Sequence, residues 1–134
     1  MDEALRQFVR KRAVNCCEYC RIPQHALSWT RFHIEHIRAR QHGGSDQTEN
    51  LALACRRCNL FKGPNLSAID PETDELVTLF NPRTDVWTDH FTEIDHRIVG
   101  RTAIGRATVE LLDMNDPDRI QIRFELDTLG ADGI

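Results

Sequence analysis

The sequence predicts an α+β fold in which short strands and helices gather around a metal clamp. Three observations predict it. Two Cys-x-x-Cys pairs occur, Cys17/Cys20 and Cys55/Cys58; a brief alternating stretch lies between them; and apolar residues recur at helical spacing near the N-terminus.

The elements follow in order. Residues 2–15 place Leu5, Phe8, Val9 and Arg12 at helical spacing, which predicts a helix packing one face on the metal-bearing core. Residues 16–28 hold the first cysteine pair, Pro23 and several polar residues, and read as a knuckle followed by a loop. Residues 29–37 (WTRFHIEHI) alternate, with Phe32, Ile34 and His36 on one face and His33, Glu35 and Ile37 on the other, so a strand is expected. A polar loop around Gly43-Gly44 spans 38–50, and residues 51–53 form a short return strand. The second cysteine pair leads into a short helix, CNLFKG, stopped at Gly63-Pro64. A hairpin followed by a helix is thus expected over 29–63.

Farther along, DELVTLFNP predicts a strand closed by an Asn-Pro turn, RIVG another short strand, and IGRATVELLDM a helix. Asp116-Pro117 carries cap and first-turn signals for a last helix ending near Leu129-Gly130. The expected organisation is one domain over 1–134: an N-terminal helix (1–16), a metal-bound core (17–63) and an acidic extension (64–134).

Hydrophobic residues make up 40% of the chain and charged residues 28%, a balance that excludes wholesale disorder. No apolar run approaches the roughly 20 residues that span a bilayer. The N-terminus lacks the apolar segment and cleavage site of a signal peptide, so a cytoplasmic protein is expected. The net charge of −4 is unevenly divided. Residues 1–62 carry 11 Lys and Arg against 6 Asp and Glu, whereas residues 63–134 carry 6 against 15. The half that holds the cysteines is the basic one, which suits a polyanionic partner.

In a reducing compartment two such cysteine pairs are metal ligands more often than disulfides, and the odd cysteine count fits a disulfide framework poorly. Cys17, Cys20, Cys55 and Cys58 would complete a tetrahedral four-sulfur site for a structural Zn²⁺, which leaves no open coordination position. The alternatives are a redox pair or ordinary buried cysteines. Cys16 could replace Cys17 only with a poorer spacing, and is expected as a small core residue.

His33, Glu35, His36, Asn50 and Asn59 lie between or directly beside the two pairs. With CEYC, HIEHIRARQHGG and NLALACRRCNLFKG in this order, the chain resembles the HNH endonucleases of the ββα-metal superfamily, in their bacterial form with two zinc knuckles. The later text, from LFNPR through DHF to IVGRTAIGRATVELLDMN, resembles the tail of a bacterial subgroup, so the likeness covers nearly the whole chain.

Phosphodiester hydrolysis needs an activated water, countercharge on the phosphorane, and stabilisation of the leaving oxygen. A neutral imidazole can take a proton from water, and the resemblance makes His36 the general base. It makes Glu35 and Asn59 ligands of a catalytic divalent ion. A carboxylate and an amide oxygen suit Mg²⁺ or Mn²⁺. It also gives Asn50 the task of holding the hairpin loop and orienting the base, although Asn50 could simply cap the turn before Leu51. A helix-surface hydrogen bond is the bland alternative for Asn59. Arg56, Arg57 and Lys62 suit phosphate contacts, with a solvated face as the alternative, and His33 could touch a phosphate, touch the metal or lie on the surface. His42 reads as a loop residue, and His25, His90 and His96 carry no signal.

The resulting expectation is an endonuclease that cuts DNA to 5′-phosphate and 3′-hydroxyl ends. Two other classes compete: a non-catalytic zinc-ribbon module that binds nucleic acid or protein, and a Cys-x-x-Cys redox protein. The first would be favoured by loss of the base or a ligand position, and none is lost; the second leaves His36, Asn50 and Asn59 unexplained.

Overall fold

The computed structural model describes residues 1–132. Helix α1 (Glu3–Arg12) begins where Asp2 accepts the Leu5 amide at 2.8 Å and ends on Arg10, Lys11 and Arg12, which oppose the helix dipole. Val9 is fully buried and Leu5 packs partly, but Phe8 is exposed, its ring covered by the Arg12 guanidinium at 5.2 Å. The same turn clamps the hairpin. Arg10 donates to the Phe32 carbonyl, and Arg12 donates to those of Thr48 and Leu51.

Strand β1 (His33–His36) pairs antiparallel with β2 (Leu51–Ala54), with His33 opposite Ala54 and His36 opposite Leu51. The strand is shorter than the alternation of 29–37 implied, and Gln24 is the reason. Its side chain accepts the Phe32 amide and donates to the Leu27 and Thr30 carbonyls, holding residues 27–32 as a loop. All of β2 is buried. Helix α2 (Arg56–Lys62) follows, capped by the Cys55 sulfur accepting the Cys58 amide, and stops at Gly63 with φ +49°.

The extension adds two more hairpins, β3 (Ser67–Ile69) with β4 (Leu76–Thr78) and β5 (Phe91–Ile94) with β6 (Arg97–Gly100). It also adds the one-turn α3 (Trp87–His90), α4 (Ala103–Leu111) and α5 (Pro117–Asp132). Asp116 opens α5 as expected, accepting the Asp118 amide at 2.8 Å. The expected stop near Gly130 does not occur, since α5 runs to Asp132; a helical glycine weakens a helix by about 1 kcal/mol without ending it. Extension and core share one aromatic contact set. Phe80 packs edge-on against Tyr19 and Phe91, and the Trp87 indole donates to the Tyr19 carbonyl at 2.8 Å. Among the described residues no helix is long and apolar enough to cross a membrane.

Candidate active site and metal centre

The clamp assembles as the spacing implies. Cys17 and Cys20 come from the turn after α1, Cys55 caps α2 and Cys58 lies within it. All four are buried, and their sulfurs lie within 4.8 Å of one another. A Zn–S length of about 2.3 Å places tetrahedral sulfurs about 3.8 Å apart, and the Cys20 and Cys55 sulfurs are 3.8 Å apart. Burial pushes the Cys17 thiol up, while hydrogen bonds from Cys17, Cys20 and Cys58 pull Cys55 down. Four crowded sulfurs without a cation therefore cannot all ionise, and a dication relieves this conflict. The Arg119 guanidinium of α5, itself buried, reaches the Cys55 sulfur at 3.8 Å and adds a further positive charge. The donor set fits zinc. Cys16 stays outside the cluster, half-buried, its backbone bridged to Pro23.

His36 lies at the end of β1 with its side chain 19% exposed, and its Nε2 is 2.7 Å from Asp46 Oδ1. Arg40 also pairs with Asp46, and these two contacts, that of His36 foremost, hold the Asp46 carboxyl below the usual carboxylate range. Asp46 escaped the sequence reading. An acid ten residues past the base, in a polar loop, carries no periodic signal.

Asn50 ties that loop shut. Its side chain accepts the Arg38 amide at 2.9 Å and donates to the carbonyls of Arg38 and Ser45, while its own carbonyl accepts the Ile37 amide. A Cβ at Gly44 would stand 1.7 Å from the Arg38 carbonyl oxygen and 2.9 Å from Asn50 Nδ2, so the knot closes only over glycine.

Glu35 faces away from His36, as adjacent strand positions must. Its side chain is 4% exposed; the Tyr19 hydroxyl donates to Oε1 at 2.5 Å, and Lys62 Nζ lies 3.5 Å from Oε2. Burial raises its carboxyl to about 7, against the opposing pull of Lys62 and Tyr19. Lys62 corrects an expectation. Instead of facing phosphate it is 2% exposed, donating to the Ile37 carbonyl at 2.8 Å, because its stem runs back beneath the hairpin. Tyr19, at the centre of the first knuckle, was another residue the sequence did not reveal.

Asn59 sits half-buried on α2, which packs against β1, and no hydrogen bond of its side chain occurs among the described residues. Glu35 Oε2 likewise has no hydrogen bond. Neither oxygen is thus hydrogen-bonded, although Lys62 Nζ stands 3.5 Å from that of Glu35. His33 and Arg56 are exposed, whereas Arg57 is engaged with Asp113 and Asp116 and lies over the Phe61 ring. Glu93, His96 and Asp127 form a second group close enough to hold an ion.

Residues 17–65 match the family model of the HNH endonuclease. The Septu protein PtuB of Bacillus thuringiensis is 31% identical over 71 residues, a stretch that is 53% of this chain and 25% of that protein. The chain therefore aligns with about a quarter of the length of this curated relative. No solved structure matches significantly.

Proposed function

We propose that the HNH domain at residues 17–65 makes this chain a metal-dependent endonuclease acting on DNA, with His36 as general base. The observation that carries this reading is the anchored imidazole. With Nε2 held by Asp46 and the side chain still partly open, Nδ1 is the nitrogen left to receive a proton from water. The tautomer with hydrogen on Nε2 satisfies both atoms. The water oxygen bonds to phosphorus as its proton passes to His36, the bond to the 3′ oxygen breaks, and that oxygen is protonated from solvent. The products are a 5′-phosphate and a 3′-hydroxyl.

Glu35 and Asn59 are the candidate ligands of a divalent ion, Mg²⁺ or Mn²⁺ by their oxygen chemistry. Such an ion, when bound, supplies positive charge for the phosphorane and the leaving oxygen. Asn50 and Gly44 hold the loop that carries Asp46, so they position the base through it. Arg56 and His33 are the exposed groups suited to phosphate.

A non-catalytic zinc module is the second reading, and one observation favours it: the Glu35 carboxylate is already occupied by Tyr19 and Lys62. Plasmid nicking in Mg²⁺ or Mn²⁺, with EDTA and His36→Ala as controls, separates the two. Cleavage should fall by about 10²–10⁴-fold in His36→Ala with fold and zinc retained. Wild-type protein that never nicks, or a His36→Ala variant of equal activity, removes the nuclease mechanism.

A further inference from the structure

Trp29 is 75% exposed and stands where two clefts meet. One cleft, of about 570 Å³, runs between the end of α1 and residues 23–31, and Arg10, Arg31 and His25 line it with no carboxylate. The other, of about 300 Å³, lies along α2; Arg56 and Leu60, the neighbour of Asn59, line it together with one carboxylate, Asp118. Arg10 Nη1 is buried with no hydrogen-bond partner, so a cationic donor is left unsatisfied beside the first cleft. A large exposed indole beside the carboxylate-free Arg10/Arg31 cleft matches no packing need of the fold.

From this arrangement we infer that Trp29 is a stacking platform for an unpaired nucleotide, and that the Arg10/Arg31 cleft carries the adjoining phosphates. Aromatic faces accept any base, and an arginine-lined groove tracks the backbone. Bases of an intact duplex are already stacked, so the occupant is single-stranded: an overhang, a bubble or a free strand. Five chain steps lead from Arg31 to His36, which limits their Cα atoms to about 18 Å, or about five steps of a strand rising 3.4 Å per nucleotide. A strand of about six or more nucleotides held by Arg31 is therefore long enough to span that separation. This rests on the nuclease reading for its purpose, though not for its chemistry.

The test is tryptophan fluorescence, titrated at low salt and without added divalent ion, using an oligothymidylate of about twelve nucleotides and a blunt duplex of equal length. Trp87 is tied to the Tyr19 carbonyl and packed on Phe91, so the quenching that disappears in Trp29→Phe reports Trp29. The single strand should quench and the duplex should not. Read by anisotropy of an end-labelled oligothymidylate, which needs no tryptophan, Trp29→Ala should weaken single-strand binding by about 5- to 100-fold, Trp29→Phe should keep most of it, and Arg31→Gln should reduce the salt slope by about 0.7. Zinc content should be unchanged throughout. Equal affinity in Trp29→Ala, or equal quenching by the duplex, overturns the platform. Nicking that persists while neither nucleic acid touches Trp29 also overturns it, marks the face as a protein contact, and leaves the nuclease reading standing. Trp29-dependent single-strand binding in a chain that never cuts supports the platform and sinks that reading.

Discussion

At Lys62 the residue type and the residue's task part company. A lysine three positions after Asn59 reads as a phosphate contact, yet its ammonium is committed to the Ile37 carbonyl and to Glu35. Sequence spacing reports which residues share an element; whether a long side chain runs outward or beneath its neighbours depends on the hairpin above it. Strand parity was legible in the same limited way. Glu35 and His36 point apart as alternation requires, but alternation alone does not say which face is inward, and Glu35 is buried more deeply than Ile34. Removing one partner of a buried pair costs about 3–5 kcal/mol, so Lys62→Met should lower stability by up to that amount in urea unfolding of the zinc-loaded protein. The double variant Glu35→Gln/Lys62→Met should recover much of the loss, giving a clear coupling in the double-mutant cycle. Additive losses would mean that the two groups do not interact. Asp46→Asn tests the other side of the strand. With a weaker anchor for His36, cleavage should fall by up to about 100-fold with zinc and fold unchanged.

Among the elements, those with a chemical terminator were readable, as were the apolar strands β2, β4 and β6, but the partners β3 and β5 were not. Gly63-Pro64 ended α2 and Asp116-Pro117 opened α5, whereas β3 is three residues long and β5 lies in the charged run DHFTEI, where neither period is visible. Residues 38–50, expected as a polar loop around Gly43-Gly44 with Asn50 holding it, are specified by the Asn50 side-chain hydrogen bonds and by the close approach at Gly44. Asn50→Ala should strand polar groups at about 1–3 kcal/mol each where water cannot replace the bond. It should speed amide exchange across 38–49 and lower cleavage while the zinc stays bound. The β3–β4 hairpin carries its own electrostatic lock. Asp70 is inaccessible, accepts Arg106 through both carboxylate oxygens, and also accepts the Glu72 amide and the Thr73 hydroxyl. Arg106, first among these, holds its carboxyl well below the usual range. A depressed folded value stabilises above the unfolded value of about 3.9 and is lost as pH falls below it. Thermal stability should therefore drop in acid below about pH 4, and Asp70→Asn, less stable at neutral pH, should lose less over the same interval.

Across the whole molecule, the acidic half folds back on the basic one. Arg57 of the core is neutralised by Asp113 and Asp116 of the extension, so the basic character of residues 1–62 overstates the surface left for a polyanion. Composition could show the asymmetry, but pairing between distant segments is a tertiary fact. Salt dependence of DNA binding should accordingly respond to Arg56→Gln and barely to Lys62→Met, which removes no exposed charge. The two kinds of metal ligand then divide the molecule most sharply. Four buried thiols drawn from both ends of the core form a closed site, so zinc should exchange slowly and amount to about one ion per chain. Glu35 and Asn59 offer only two protein oxygens, so a hard cation there should bind weakly and exchange fast. Brief EDTA treatment should abolish cleavage while circular dichroism and zinc content hold, and Mg²⁺ or Mn²⁺ should restore it. Glu35→Ala and Asn59→Ala should each raise the divalent concentration needed for cleavage without releasing zinc, whereas Cys17→Ser or Cys58→Ser should unfold the chain and Cys16→Ser should not. Cleavage that survives EDTA, or zinc released by Glu35→Ala while circular dichroism shows the chain still folded, would show that the structural and catalytic metals are not separate. In that case the thiolate cluster itself would have to be part of the reaction centre.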